Sequence, residues 1–225
     1  MRNAFYSVTA LCLATCGTGL ASTIVQTQGA TLDNVGQSFS VPVTFNQFNP
    51  ALGTLNSITL DLDGSFAGTV GIENLSNAPD QAAGIIAGTI SVATPGQLLA
   101  AQVSPSAAGP THNFTPFDGT LDFAGSSGAT DSVSGSPVAT SVTALASSPA
   151  IPLFLGPGQI FLTLTATSFP IAQGLRQEAV EDTANATGVV QLTYSYTPAS
   201  ATPEPGTMAL LVCGVIALPS LRRRR

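Results

Sequence analysis

Two aspartates near the middle of the chain have the type and spacing that could support chemistry. The run Asp61-Leu62-Asp63-Gly64 separates its carboxylates by two positions and ends in what reads as a turn glycine. In a β-strand that separation puts both side chains on one face. Clustered carboxylate oxygens are the ligands that calcium prefers. The run lacks the further spaced oxygens and the final glutamate of an EF-hand loop. Asp61 and Asp63 are therefore calcium candidates, and exposed polar strand positions are the alternative.

A second acidic pair, Asp118 and Asp122, flanks the segment GTLDF, which we expect to be a strand. It offers the same two interpretations. Glycoside hydrolysis needs two carboxylates held several ångströms apart across a sugar. Neither acidic pair is identified as such a couple, and the chain has no tryptophan to stack on a sugar ring. The sequence thus argues against a glycosidase.

The only histidine, His112, lies in the stretch GPTHNFTP. One histidine cannot form a metal site with several histidine ligands, and any Ser-His-Asp arrangement would depend on this single residue. No serine has the G-x-S-x-G context of a nucleophile elbow. We expect a solvated loop histidine, no catalytic residues, and no cofactor unless calcium binds at the acidic pair.

Charge is distributed very unevenly along the chain. Between Ser22 and Pro205 the only basic residue is Arg176, whereas all twelve acidic residues lie there, which gives this region a net charge of −11. Affinity for nucleic acid comes largely from lysine and arginine on phosphates. A nucleic-acid partner is therefore excluded.

The cysteines lie outside the same region. Cys12 and Cys16 are near the N-terminus and Cys213 is near the C-terminus. Disulfides, thiolate nucleophiles and cysteine metal sites are thereby ruled out for the body of the protein.

The first 21 residues have the pattern of a signal peptide. Arg2 supplies a positive charge, an apolar run extends over 5–16, and Gly19-Leu20-Ala21 fits a small-x-small cleavage site. We expect export through the Sec translocon and a mature chain that begins at Ser22. The alternatives are a buried N-terminal strand or helix, and lipidation at Cys16, although Thr15 is a poor match for the small residue that usually precedes a lipidated cysteine.

The sequence predicts that short β-strands position these side chains. Apolar runs broken by Gly, Pro and Asn predict an all-β body over 22–199, an antiparallel β-sandwich of jelly-roll or immunoglobulin-like type. Pro42 indicates that its strand lies at a sheet edge or carries a bulge. The expected strands cover 38–45, 55–62, 67–74, 119–123, 159–166 and 189–196.

Two further segments complete the body. The stretch Ser126–Ser148 is almost entirely Ser, Gly, Ala, Thr and Val, and we interpret it as a loop or weak strands. The stretch Gln173–Asp182 is the only candidate for a helix, short and at the surface.

The last 25 residues have three parts. Pro203, Glu204 and Pro205 come first, an apolar stretch of 14 residues follows at 206–219, and Arg222, Arg223, Arg224 and Arg225 end the chain. As a helix the apolar stretch covers about 21 Å, which is short for a hydrocarbon core of ~30 Å. The arginines supply a positive cytoplasmic flank that would stop transfer with the body outside.

In this order and at this position, the three parts resemble the PEP-CTERM sorting signal of Gram-negative bacteria. The resemblance implies that an exosortase recognises Pro203, Glu204 and Pro205, and that the cell makes exopolysaccharide. It also implies a transient stay in the inner membrane before the protein reaches the cell surface or extracellular matrix. A permanent inner-membrane anchor with a periplasmic body is the alternative.

The body resembles the choice-of-anchor E domain, on the stretches at 48–74, 116–128 and 189–198. That resemblance implies an extracellular β-domain and brings no catalytic residues with it. The sequence as a whole predicts an exported, non-enzymatic surface or matrix protein. The alternative is a module that binds calcium or a glycan within an exopolysaccharide matrix.

Overall fold

The computed structural model describes residues 9–11, 21–33 and 38–199. Within these ranges the regular structure consists of β-strands and short 3-10 helices, with no α-helix. The 3-10 helices are Pro50–Leu52, Pro95–Gln97 and Ile151–Phe154. The strands, in chain order, are β1 (Thr9–Leu11), β2 (Ser22–Leu32), β3 (Phe39–Asn46), β4 (Gly53–Asn74), β5 (Asp80–Ala93), β6 (Ala100–Val103), β7 (Ser106–Phe114), β8 (Gly128–Ser134), β9 (Val138–Leu145), β10 (Gln159–Gln173) and β11 (Glu178–Pro198).

The strands form two antiparallel sheets. The first sheet has the order β1-β2-β11-β4, and both β8 and β9 pair with the far side of β4. The second sheet has the order β3-β10-β5, and both β6 and β7 pair with the far side of β5. Because β4 packs on β5 and β11 on β10, the sheets stack face to face. The prediction of an all-β, sandwich-like body is confirmed.

The pairing of strands is nested along the chain. Within the sheets, β2 pairs with β11, β3 with β10, β4 with β8 and β9, and β5 with β6 and β7. The first half of the body thus runs antiparallel to the second half. Strands of this double ribbon alternate between the two sheets, and most pairings, such as those of β2 with β11 and of β3 with β10, join residues far apart in sequence.

The core lies between the sheets and is built by strict alternation. Along β10, Ile160, Leu162 and Leu164 are buried, whereas their neighbours point outward. In β4, Ile58, Leu60 and Leu62 fill the facing side, as the period of two predicts. The expected strands at 38–45, 159–166 and 189–196 are confirmed, although β10 and β11 are longer than predicted.

Pro42 lies in β3, an edge strand whose one partner within the described residues is β10. Proline lacks an N–H for a ladder hydrogen bond, so an edge is where a strand tolerates it. The prediction drawn from Pro42 is confirmed.

The expectation of a turn at Gly64 is wrong. β4 continues through this position as one strand of 22 residues and joins the two strands predicted separately. Gly64 is buried, and a Cβ there would come within 2.9 Å of both Ile90 Cδ1 and Val103 Cγ2. Glycine is therefore needed because the second sheet approaches closely, and the chain does not reverse here.

Two other expectations about local structure are wrong. The segment Gly119–Phe123 belongs to the loop between β7 and β8, and Phe123 has a positive φ of 53° that does not fit a strand. The helix expected at Gln173–Asp182 is absent, since Glu178–Asp182 begins β11 and pairs with β4. Strand pairing there overrides the moderate helix propensity of Glu and Ala. The stretch 126–148 forms β8 and β9, which fits the interpretation as weak strands.

The end segments are described only in small part. Within the proposed signal peptide, Thr9–Leu11 forms a three-residue strand on the outer edge of β2. The remaining residues of 1–20, and the sorting motif, apolar stretch and arginines of 200–225, lie outside the described residues. No helix in the described part of the chain is long and apolar enough to cross a membrane.

Candidate functional site

The calcium candidates Asp61 and Asp63 point outward from the first sheet. Asp61 lies between Gln191 and Ser141 on the neighbouring strands, and Asp63 is level with Val189. The sequence correctly places both carboxylates on one strand face. Throughout residues 21–33 and 38–199, no three His, Cys, Asp or Glu side chains are grouped so as to hold a metal ion. Calcium takes six to eight oxygens, so these two carboxylates would form only a minor part of a site.

Asp118 and Asp122 cap turns in the loop between β7 and β8. The Thr120 N–H donates to Asp118 Oδ1 over 2.9 Å, and the Ala124 N–H donates to Asp122 Oδ1 over 3.0 Å. A short acidic side chain that accepts from the backbone two residues later is typical of an Asx turn. The structure therefore gives these two residues a local structural role.

His112 is paired, so the expectation of a solvated loop histidine is wrong. It lies within β7 and places Nε2 2.9 Å from Asp131 Oδ2 on β8. The histidine side chain is 33% exposed and the aspartate 15%. Because β7 belongs to the second sheet and β8 to the first, the pair closes the sandwich along one edge. No sequence pattern indicates this pair, since the partners are 19 positions apart.

The opposite edge is closed by a second polar group. Asn46 on β3 donates its N–H to Gln26 Oε1 on β2, and its carbonyl accepts from Gln26 Nε2, both over 2.9 Å. The Tyr194 hydroxyl donates to the same carbonyl over 2.9 Å. Tyr194 is buried between the rings of Phe48 and Phe154, and burial raises the pKa of its hydroxyl.

Asp182 is a third polar link between the sheets. Its carboxylate accepts a hydrogen bond from the buried Ser168 of β10, whereas its Oδ2 atom has no hydrogen-bond partner among the described residues. Burial raises the pKa of Asp182, and the hydrogen bond from Ser168 partly offsets that rise. The sequence had placed this residue in a helix and missed the link.

Glu73 is fully buried on the outer side of the first sheet. The loop between β7 and β8 covers it, and neither carboxylate oxygen has a hydrogen-bond partner within the described ranges. A Cβ on Gly128 would overlap Glu73 Oε2 and approach the Ala124 N–H within 2.6 Å. Nothing in the sequence distinguishes Glu73 from the exposed acids, because its burial depends on a loop more than 40 residues away.

These polar groups are distributed over both edges and one outer face of the sandwich, and Asp131 and Asp182 lie level with Val70 on the two strands that flank β4. The described residues place His112 and Asp131 at one edge, Gln26 and Asn46 at the other, and Asp61 on an open sheet face. Contacts of these side chains connect the two sheets at both edges.

No protein-family description and no curated protein sequence matches the chain. Among solved structures, a mutant VP2 protein of infectious bursal disease virus in derived particles is 12% identical, with a TM-score of 0.17 over 94% of this chain and 50% of that one. The structure of the Gx strain of the same virus is 12% identical, with a TM-score of 0.19 over 86% of this chain and 44% of that one. The chain spans about half the length of these viral proteins, and likeness this low supports no conclusion about function.

Proposed function

We propose that this chain is an exported, non-enzymatic surface or matrix protein that an exosortase sorts and processes at its C-terminal end. One observation carries the proposal. A Pro-Glu-Pro motif, an apolar stretch and four arginines follow one another at 203–225, in a chain that begins with an export-type segment. The exosortase would recognise Pro203, Glu204 and Pro205. The segment 206–219 would anchor the chain in the inner membrane, and Arg222 to Arg225 would stop its transfer.

The body suits this role because of what its surface and core contain. It folds as two packed sheets whose sheet-to-sheet polar links need no cysteine, so folding outside the cell requires no disulfide chemistry. The acidic excess favours solubility after export. A body with twelve acidic residues and one basic residue also suits a hydrated exopolysaccharide matrix, which we take to be its destination.

We further propose that the sandwich is a jelly roll and not an immunoglobulin-like domain. The nested pairing of β2 with β11, β3 with β10, β4 with β8 and β9, and β5 with β6 and β7 supports this. A jelly roll is a double ribbon rolled into two sheets. In an immunoglobulin-like sandwich the pairs are not nested in this way.

The test is the intact mass of the protein recovered separately from inner membrane, cell surface and medium. We expect a chain that begins near Ser22 and ends near Pro203 to Pro205, found outside the inner membrane. Any added mass at the new end identifies what the processing enzyme attaches. In a Glu204→Gln variant, the full-length tail should accumulate in the inner membrane.

Glu178→Gln is the matched control, since it makes the same change at an exposed position at the start of β11. It should be processed as the unaltered chain is. A chain that still ends at Arg225 in the inner membrane would overturn the sorting proposal. The protein would then be a periplasmic body on a permanent short anchor.

A further inference from the structure

The outer face of the second sheet carries no charge. It consists of the outward positions of β3, β5, β6, β7 and β10, which are occupied by Ser, Thr, Ala, Gln, Asn, Pro, Ile and Phe. We call this surface the uncharged face. In a region with a net charge of −11, a broad surface without any Asp, Glu, Lys or Arg is a marked departure from the rest.

The outer face of the first sheet differs sharply. Asp61, Asp63 and Glu181 point outward from it, and the loop that covers its end carries Asp118 and Asp122. Two copies that approached through these acidic faces would repel each other. Two copies that approached through their uncharged faces would keep the acids on the outside, in water.

Two exposed aromatic side chains project from the uncharged face. Phe161 is 56% exposed and Phe169 is 51% exposed, and both lie on the central strand β10. Small neighbours leave room around Phe169, which is level with Ala87, and Ala87 is in turn level with Ser106. The two phenylalanines are eight positions apart, which corresponds to about 26 Å along a strand.

The spacing of the two rings is symmetric about Thr165. Phe161 lies four positions before this residue and Phe169 four positions after it. A two-fold axis parallel to the face, perpendicular to β10 and level with Thr165, would place Phe161 of one copy opposite the partner's Phe169. An interface with two-fold symmetry needs a self-complementary patch of this kind.

The size of the face also fits a dimer. The five strands of this sheet contain 50 residues, which at ~4.8 Å between strands and ~3.3 Å per residue cover about 800 Å². A stable protein–protein interface buries about 800 Å² on each partner. We propose that the uncharged face is the contact surface between two copies of this chain, packed sheet on sheet. This association does not depend on processing of the tail.

The test uses the protein in the form that cells accumulate, with its molar mass measured by sedimentation equilibrium over a range of concentrations. We expect a monomer–dimer equilibrium. Phe169→Lys should raise the dimer dissociation constant at least tenfold, because each dimer would then bury lysines without partners. Thr165→Lys at the centre of the face should have the same effect, and it provides a second readout if the first variant is poorly folded.

Val189→Lys is the control, since Val189 is a hydrophobic residue 38% exposed on the outer face of the first sheet. It should leave the dissociation constant unchanged. Far-UV circular dichroism and thermal melting establish that each variant is folded. A monomer at all concentrations, or a dimer that withstands both lysine variants, would overturn the proposal. A third result would also overturn it: a monomer that a neutral glucan in the gel slows, when the glucan does not slow the Phe169→Lys variant. The uncharged face would then bind glycan.

Discussion

His112 and Asp131 join the two sheets through a contact of 2.9 Å between Nε2 and Oδ2 at one edge of the sandwich. The contact links β7 to β8. These two strands lie in different sheets, so no backbone ladder of hydrogen bonds connects them. Both side chains are partly covered, so water weakens the interaction less than at an open surface.

We predict that Asp131→Ala lowers the free energy of unfolding by about 1 kcal/mol, the usual contribution of a partly buried hydrogen bond. The measurement is urea denaturation at about pH 7. His112→Ala and the double variant complete a mutant cycle, in which the coupling should also be about 1 kcal/mol. If the two single effects simply add, the contact contributes nothing to stability.

We predict that Asp182→Asn raises stability at neutral pH. Burial raises the pKa of this carboxyl above its ordinary value of 3.8. The folded state therefore disfavours the charged form, and the penalty is fully present above the folded pKa. It is relieved as the pH falls through that pKa toward 3.8. An amide carries no such penalty and can still accept from Ser168.

Urea denaturation at about pH 7 and at about pH 3.5 checks this prediction. The variant should be more stable at the higher pH, and the two proteins should converge at the lower one. Asp63→Asn, at an exposed position on β4, serves as the control for the loss of one negative charge. An Asp182 variant that is less stable at both pH values would contradict the prediction.

Gly64→Ala tests the continuity of β4. The added methyl would lie 2.9 Å from Ile90 Cδ1 and Val103 Cγ2 in a filled core, so we expect a loss of about 1–3 kcal/mol. Gly29→Ala makes the same change where the nearest atom, Val189 Cγ2, is 3.8 Å away, and it should be neutral within ~0.5 kcal/mol. Thermal or urea unfolding of both variants gives the comparison. Equal tolerance at the two positions would mean that the second sheet does not approach β4 as described.

Tyr194→Phe should cost about 1 kcal/mol, because it removes the hydrogen bond to the Asn46 carbonyl and keeps the ring. That carbonyl retains its bond from Gln26 Nε2, so no buried acceptor is left unpaired. Gln26→Leu in the same background should then cost more than it does in the unaltered protein, since it removes the last donor. Denaturant midpoints for the four proteins decide the matter, and strict additivity would count against a shared acceptor.

Calcium should not stabilise the protein through Asp61 and Asp63. Two carboxylates on an open sheet face supply few of the oxygens that the ion requires. We therefore expect the Tm in about 5 mM calcium, above the usual Kd range of extracellular sites, to equal the Tm in chelator. A rise in Tm that the Asp61→Asn/Asp63→Asn variant abolishes would restore the calcium hypothesis.

The part of the structure that depends on local periodicity could be predicted from the sequence alone. The alternation of Val41, Val43 and Phe45 set the buried face of β3, and Pro42 set its position at an edge. The same period of two gave β10, the C-terminal part of β11 and the shared face of Asp61 and Asp63. Side-chain alternation is a property of a single strand, so it can be read without knowing the partner strand.

Tertiary structure decided everything that depends on which strands meet. The contact of His112 with Asp131, the burial of Glu73 under a distant loop and the close approach that requires Gly64 all involve residues on different strands or sheets. At Glu178–Asp182, pairing with β4 overrode a local preference that had suggested a helix. Strand pairing and sheet stacking are long-range contacts whose free energy exceeds the small differences in local propensity, and single-chain patterns do not record them.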